Sequence, residues 1–299
     1  MTVTPATPCV PYIVVSPTRN ERDYLPLTIA SMCAQSCRPM QWLLVDDGSS
    51  DGTAAIVDAA AREHPWIVAI HRRDRGFRQA GTGVVEAFYA GYQAITAPWR
   101  YIVKLDGDLS FAPDYFERCI EKLESDRQLG IVGGTCSVFK GEDLVTEFPG
   151  EPQFHVRGPT KIYRRECFEA IGGLVKAPGW DTIDQMKANM LGWKTATLED
   201  IPIVHHRSTG HAYGSWSNFT KNGLANYISG YHPFFMLLKC MKRAISRRFP
   251  KGVLESCGLF YGFARGYLTR APRVADAALI RYVQDQQWRA LSFRSSLWR

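Results

Sequence analysis

The feature that most constrains the fold is an alternation of short apolar runs and longer segments with helical periodicity. Apolar or β-branched runs occur at residues 12–15, 42–45, 67–70 and 101–105. Between them, apolar residues recur at helical spacing over residues 25–34, 53–63 and 84–95. Strands that alternate with helices form βαβ units, so the sequence predicts an α/β fold with a mostly parallel sheet.

The polar loops that follow three of these runs are the expected ligand site. They cover residues 16–21, 46–52 and 106–109, and two of them contain paired acids. In open α/β sheets, ligands bind at the carboxyl ends of the strands, where such loops meet. We therefore predict that acidic side chains converge at this edge of the sheet.

The loop after the fourth run contains two carboxylates one residue apart, Asp106-Gly107-Asp108. Hard divalent cations prefer oxygen ligands and often complete their coordination with phosphate oxygens. A carboxylate pair at a strand end can therefore hold a metal against a diphosphate, where the metal neutralises charge on a leaving phosphate. A solvated turn that caps the next helix has the same short pattern, so both interpretations stay open.

The loop after the second run reads DDGSSDGT at residues 46–53. This pattern is typical of a glycine-rich turn in which Ser or Asp caps the following helix. An acid at this strand end can also accept hydrogen bonds from a nucleobase or a ribose hydroxyl. The two interpretations are compatible.

Together, these segments resemble family 2 glycosyltransferases of the GT-A fold. The matching residues are SPTRNE at 16–21, DDGSSDGT at 46–53 and the D-x-D turn, in the family's order and spacing. Residues 163–174 also resemble the family's acceptor-side segment. The resemblance implies a Rossmann-like GT-A domain over residues 1–230, followed by a basic, apolar helical region at 231–299.

The resemblance also implies an inverting enzyme that uses a nucleotide-diphosphate sugar, either a UDP-sugar or a GDP-sugar, with Mn²⁺ or Mg²⁺ as cofactor. Asp108 and Asp106 would bind the metal. A histidine from the pair His205–His206 would join them; His206 is preferred, although the choice stays open. The donor nucleotide would contact Pro17, Thr18, Arg19, Glu21, Asp46, Asp47, Arg73 and Asp106.

Transfer to a hydroxyl with inversion needs a general base on the face opposite the leaving group. The family places this base at the start of a helix, eleven residues before a glycine that precedes an aromatic residue. Counting back from Gly192 gives Asp181, and Asp184, one turn later, is the alternative. Trp180 stands where the family usually has an acid. Either aspartate could instead simply cap the helix, whose amino end favours negative charge.

Positive charge is concentrated near the carboxyl end. Residues 234–299 contain 13 Lys and Arg against three acids, whereas the whole chain has a net charge of +7. A helix that mixes apolar and basic residues can lie on an anionic membrane surface. It can equally pack on the catalytic domain with snorkelling lysines. Nucleic-acid binding has no motif to support it and is not expected.

The expected location is the cytoplasm, with the protein peripheral at the inner face of the membrane. The sequence has no recognisable signal peptide, and no segment reaches about 18 uninterrupted apolar residues. The eight cysteines lack metal-binding spacing, so we predict reduced, mostly packed thiols.

The predicted reaction is sugar transfer to a hydroxyl of a sugar or lipid-linked acceptor, in polysaccharide or glycolipid biosynthesis. A nucleotidyltransferase is an alternative, but it usually has a glycine-rich loop after the first strand, and residues 16–21 contain no glycine. A catalytically inactive sugar-nucleotide-binding scaffold is another. It would be expected to lose acids that this chain retains, namely Asp47, Asp106, Asp108 and Asp181.

Overall fold

The computed structural model describes residues 9–76, 81–207 and 214–298. The strands are β1 (Tyr12–Thr18), β2 (Gln41–Asp46), β3 (Ile67–His71), β4 (Tyr101–Leu105), β5 (Leu109–Phe111), β6 (Leu129–Lys140), β7 (Asp143–Thr146), β8 (Thr160–Arg164) and β9 (Lys194–His205). The helices are α1 (Leu25–Cys33), α2 (Thr53–Glu63), α3 (Thr82–Gln93), α4 (Tyr115–Ser125), α5 (Arg165–Ala170), α6 (Trp180–Met190), α7 (Ser215–Ile228), α8 (Pro233–Ser246), α9 (Lys251–Leu268) and α10 (Ala277–Leu291).

The strands form one sheet in the order β3-β2-β1-β4-β8-β6-β9-β5, and β7 pairs with β6. The first four strands are parallel, as the alternation of runs predicts. β8 lies antiparallel between β4 and β6, and β9 runs parallel to β6. The predicted α/β fold is confirmed, and its parallel half consists of the four apolar runs.

Three strands, β5, β6 and β7, have no counterpart in the sequence prediction. β6 contains Gly133 and Gly134, which interrupt the apolar pattern of a strand. Both glycines are required by close packing: a Cβ on Gly134 would lie 2.2 Å from the Ile201 carbonyl oxygen. These two glycines let β6 pack closely against its neighbouring strands, but they also make β6 hard to recognise from the sequence.

Helices cover both faces of the sheet. Tyr12 and Val14 of β1 pack with α1, α2 and α4 on one face, whereas Ile13 and Val15 pack with α3 and α5 on the other. Because both faces are buried, the central strands are continuously apolar rather than alternating. This burial holds the strand ends, and so the predicted ligand loops, at one edge.

A third apolar cluster joins α6 to the carboxyl-terminal helices. Ile183 and Met186 of α6 pack with Met236 of α8, Phe263 of α9 and Leu279 of α10. The basic region therefore packs on the catalytic domain through one of its faces. The boundary at residue 230 stays a prediction. Within the described ranges, no helix is long and apolar enough to cross a membrane.

Cys9 and Cys37 form a disulfide bond, with their Cα atoms 5.7 Å apart. The prediction of reduced thiols is wrong for this pair. The remaining six cysteines are free thiols, and four of them are buried in the apolar clusters.

Candidate active site

The loops after β1 and β2 hold each other in place. The Glu21 backbone N–H donates to Thr53 Oγ1 at 2.8 Å, and the Ser50 N–H donates to Asn20 Oδ1 at 2.9 Å. Asn20 has a φ of 56°, a left-handed conformation that asparagine tolerates well. The two loops predicted to bind the donor nucleotide are therefore one interlocked unit.

Asp46 and Asp47, although adjacent, have different surroundings. The Asp46 carboxylate accepts a hydrogen bond at 3.1 Å from the backbone N–H three residues later, so it caps the turn. The Asp47 carboxylate forms ion pairs with Arg72 and Arg75 from the loop after β3. Arg19 donates to the Asp47 carbonyl oxygen. This corner of the site is therefore rich in cations arranged around one buried carboxylate.

The other predicted donor residues lie near this corner. Thr18 is buried, and its hydroxyl donates to the Val45 carbonyl oxygen at 3.1 Å. Pro17 lies beside Val45 in the register of β1 and β2. Arg73 is exposed. The basic loop continues into residues 77–80, which lie outside the described residues.

Asp106 is paired with a buried lysine. Lys104 Nζ contacts Asp106 Oδ1 and donates to the Gly158 carbonyl oxygen at 2.7 Å. Burial raises the pKa of Asp106 above its ordinary value, although the charge of Lys104 opposes this shift.

Asp108 faces the carboxyl end of β9. Its Oδ2 lies 3.3 Å from Arg207 Nη2 and 3.7 Å from His205 Nε2. Burial alone would raise the pKa of Asp108, but the hydrogen bond and charge of His205, together with the charge of Arg207, outweigh burial and lower it. Asp108 therefore stays ionised, with cations on one side.

His205, rather than the preferred His206, lies beside Asp108 of the D-x-D turn, and the choice of metal-binding histidine stays a prediction. His205 Nδ1 lies 2.9 Å from Glu147 Oε2, so the ring sits between Glu147 and Asp108. Burial lowers the pKa of His205, but the two carboxylates raise it to about 10. His206 turns away, with Nε2 2.7 Å from Ser110 Oγ.

Glu21 completes the acidic cluster. Its Oε1 contacts Arg207, whereas its Oε2 is buried and has no hydrogen-bond partner. Burial and the neighbouring charge of Asp108 raise the pKa of Glu21 to about 7. An orphaned buried oxygen is costly in a folded protein and often marks a functional site.

The raised pKa of Glu21 predicts a pH-dependent stability. In the unfolded chain this carboxyl titrates near 4.5 and in the folded protein near 7. The folded state therefore binds the proton more tightly, so its stability falls as pH rises from 4.5 to 7. We expect Glu21 to account for a loss of about 3 kcal/mol, and Glu21→Gln to remove it. Urea unfolding at several pH values checks this; an unchanged pH slope in the variant would contradict it.

Asp181 lies at the amino end of α6. A Cβ placed on Gly158 would be 3.2 Å from Asp181 Oδ2, so this carboxylate lies against the Gly158 backbone. The Gly158 carbonyl is also the acceptor for Lys104, the partner of Asp106. Gly158 and Lys104 thus link the candidate base to Asp106 of the D-x-D turn.

Asp184, the alternative base, is buried in an ion pair. Lys161 Nζ donates to its two carboxylate oxygens at 2.7 and 2.9 Å, and the Tyr163 hydroxyl donates at 2.5 Å. Both side chains of the ion pair are fully buried. Asp184 therefore has no access to a substrate, and its assignment as a candidate base is corrected to a structural role.

Trp180 occupies the position of the family's usual acid. Its ring is buried between two ammonium groups, 5.4 Å from Lys104 Nζ and 5.6 Å from Lys161 Nζ. A ring face attracts cations in this geometry. The Trp180 ring thus lies near both Lys104, which contacts the D-x-D turn, and Lys161, which binds the first turn of α6.

The donor atoms fit a divalent cation that is shared with a substrate. Among the described residues, no group of three or more His, Cys, Asp or Glu side chains is arranged to hold a metal alone. Asp106 and Asp108 do offer carboxylate oxygens, which Mg²⁺ and Mn²⁺ prefer. Glu21 adds an unpartnered buried oxygen beside them. Phosphate oxygens would have to supply the remaining ligands.

Three residues near the site, Lys104, Lys161 and Glu147, have no role predicted from the sequence. The two lysines interrupt apolar strands, and a charge inside a buried strand requires a partner, so this signal was available. Glu147 gave no such signal. Its sequence neighbours predict an exposed side chain, and its contact with His205 forms only in the folded structure.

Comparison with known proteins agrees with this geometry. The sequence profile named Glycosyl transferase family 2 matches residues 13–175. The chain belongs to this family. The match includes the donor loops, the D-x-D turn and the segment after β8, so the predicted family is confirmed.

Named relatives of this family 2 member act on polyprenyl phosphates. A polyprenol monophosphomannose synthase from Mycolicibacterium smegmatis is 34% identical over 174 residues, covering 53% of this chain and 63% of that protein. An undecaprenyl-phosphate 4-deoxy-4-formamido-L-arabinose transferase from Klebsiella pneumoniae is 34% identical over 200 residues, covering 66% and 52%. The chain thus spans less than two thirds of the length of these relatives.

Solved structures confirm the GT-A fold. The mannosyltransferase PcManGT from Pyrobaculum calidifontis, in complex with GDP-Man and Mn²⁺, has a TM-score of 0.55 at 20% identity, covering 96% of this chain and 81% of its own. S. aureus TarS 1-349 in complex with UDP-GlcNAc has a TM-score of 0.53 at 13% identity, covering 95% and 93%.

Proposed function

We propose that this protein is an inverting, metal-dependent glycosyltransferase that moves a sugar from a nucleotide-diphosphate sugar to an acceptor hydroxyl. One observation carries this proposal. The Asp106–Asp108 turn packs against Thr18 and Glu21 of the interlocked donor loops, and Lys104 and Gly158 link Asp106 to the Asp181 carboxylate. A donor diphosphate and an acceptor would therefore meet between the proposed metal site at the D-x-D turn and the Asp181 carboxylate.

The donor nucleoside is proposed to bind over the loops after β1 and β2. Arg19, Arg72 and Arg75 surround Asp47 and offer cations to the nucleotide. The structural relatives are in complex with GDP-Man and UDP-GlcNAc, which supports a GDP-sugar or a UDP-sugar as donor.

Asp106 and Asp108 are proposed to hold Mn²⁺ or Mg²⁺. His205, whose Nε2 lies 3.7 Å from Asp108 Oδ2, is proposed to join them once it has lost its proton. When bound, the cation would neutralise charge on the leaving diphosphate. Arg207, 3.3 Å from Asp108, adds a fixed positive charge on the same side. The protein thereby offers preorganised charge where negative charge develops.

Asp181 is proposed to take the proton from the acceptor hydroxyl. The Asp181 backbone is held in place by Lys161, because Lys161 Nζ donates to the Asp181 carbonyl oxygen at 2.5 Å and to Asp184 at 2.7 Å. The buried Lys161–Asp184 pair thus fixes the first turn of α6, and with it the direction of the Asp181 side chain.

The acceptor is proposed to be lipid-linked, because the named relatives act on polyprenol and undecaprenyl phosphates. The same names favour a second candidate, transfer to the phosphate of a polyprenyl phosphate. A phosphate monoester is already ionised near neutral pH, with a second pKa of about 6, so it needs no general base. Dependence on Asp181 therefore separates the two acceptors.

Donor binding tests the proposal directly. With Mn²⁺ and a sugar nucleotide at about 100 times its Kd, the folded state gains about 2.7 kcal/mol, a melting shift of several degrees. We expect one UDP-sugar or GDP-sugar to produce this shift and Asp108→Ala to remove most of it. Asp285→Ala, which changes an exposed acid on α10, is the control and should keep the shift. Failure of every sugar nucleotide to shift the melting temperature would overturn the proposal.

A further inference from the structure

An apolar stripe runs along the exposed face of α8. Leu237, Met241 and Ile245 are 44%, 51% and 83% exposed, and Phe249, just past the helix, is 85% exposed. With 3.6 residues per turn, the three helical positions lie within about 80° of the helix circumference. Large apolar side chains grouped in this way on a surface mark an interaction site.

Basic residues surround this stripe. Lys242, Arg247, Arg248 and Lys251 are all exposed, and none of them forms an ion pair with a described residue. The sequence from 233 to 254 contains no acid; the first, Glu255, is buried and bound to Arg243 at 2.8 Å. The apolar stripe and these four bases together are called the α8 face below.

The opposite side of α8 is anchored to the candidate active site. Met236 and Cys240 are buried in the cluster that also contains Ile183 of α6. Between them, the Lys239 ammonium lies 5.0 Å from the centre of the Tyr231 ring. Asp181 and Ile183 belong to the same helix, so whatever the α8 face contacts is held at a fixed orientation to the candidate base.

The charge pattern selects the occupant. A second copy of the chain would bring two sets of unpaired bases together, which costs free energy. Nucleic acid would match the bases but would leave Ile245 and Phe249 without an apolar partner. An anionic lipid surface matches both, because its headgroups attract Lys and Arg while the acyl boundary receives the apolar side chains.

We propose that the α8 face docks on an anionic membrane surface and thereby sets the orientation of α6 and Asp181 relative to the bilayer. This inference rests on the surface alone and holds whether or not the proposed transfer reaction is correct.

Vesicle sedimentation of the full chain tests the proposal. We expect binding to vesicles with about 30% phosphatidylglycerol in phosphatidylcholine at about 0.1 M salt, and little binding to pure phosphatidylcholine. Arg247→Gln with Arg248→Gln should weaken binding roughly 30-fold, since each base near such a surface contributes about fivefold. Ile245→Ser with Phe249→Ser should weaken it at least about tenfold, through lost apolar insertion.

Leu268→Ser is the matched control, because Leu268 is 82% exposed and ends α9, about 25 Å along that helix from Lys251 and outside the α8 face. It should bind vesicles like the unmodified protein. Melting temperatures of all variants show whether each is folded. No binding by the unmodified protein, or equal binding by the Ile245–Phe249 variant, overturns the proposal. So does a dimer in sedimentation equilibrium that the same variant abolishes.

Discussion

Asp181→Asn is expected to lower kcat about 10²- to 10⁴-fold and to leave donor binding unchanged. The carboxylate lies against Gly158, and the amide has the same shape but cannot accept the hydroxyl proton. Steady-state transfer rates measure the first effect, and the Mn²⁺-dependent melting shift with the donor measures the second.

The result separates a hydroxyl acceptor from a phosphate acceptor. Asp200→Asn is the control, since Asp200 is exposed and pairs with Arg118 on the surface. It should transfer sugar at the normal rate. Full activity in Asp181→Asn would refute its role as base and favour transfer to a phosphate. Loss of both donor binding and folding would instead show that the substitution acts through structure, and Asp181→Glu would then be measured for partial rescue.

Lys161→Met is expected to destabilise the fold by about 3–5 kcal/mol, because it leaves the Asp184 carboxylate buried without its cation. Adding Asp184→Leu should recover most of this loss, since an apolar pair of similar volume avoids the burial of charge. Urea unfolding of both variants measures the two free energies.

An exposed ion pair provides the control for this experiment. Arg165 and Glu169 are 2.8 Å apart on α5 and about half exposed, so Arg165→Met should change stability by less than about 0.5 kcal/mol. A cost below about 1 kcal/mol for Lys161→Met would contradict the structural role of the pair. If the double variant regains stability but transfers sugar slowly, the pair also positions Asp181.

Local patterns determined the parallel half of the sheet and the loops of the site. The runs that became β1 to β4 are apolar because both of their faces are buried, and this pattern needs no knowledge of neighbours. The polar segments that follow these runs contain turn-forming residues and acids, which are typical of the exposed loops at the ends of buried strands. The family, the GT-A fold and the D-x-D turn were therefore predictable from sequence.

The tertiary structure decided between residues that are equivalent in sequence. Asp181 and Asp184 both lie in the first turns of α6, but only packing against β8 brings Lys161 to the Asp184 carboxylate and leaves Asp181 partly exposed.

His205 and His206 are adjacent, and successive side chains of a strand point to opposite faces. Pairing of Leu109 with His205 sets which of them meets Asp108. The sequence by itself thus determined the kinds of residue at the site, because local pattern encodes them. Only the fold decided which of them lies beside the D-x-D turn and which is buried, because register and burial are set by contacts between distant segments.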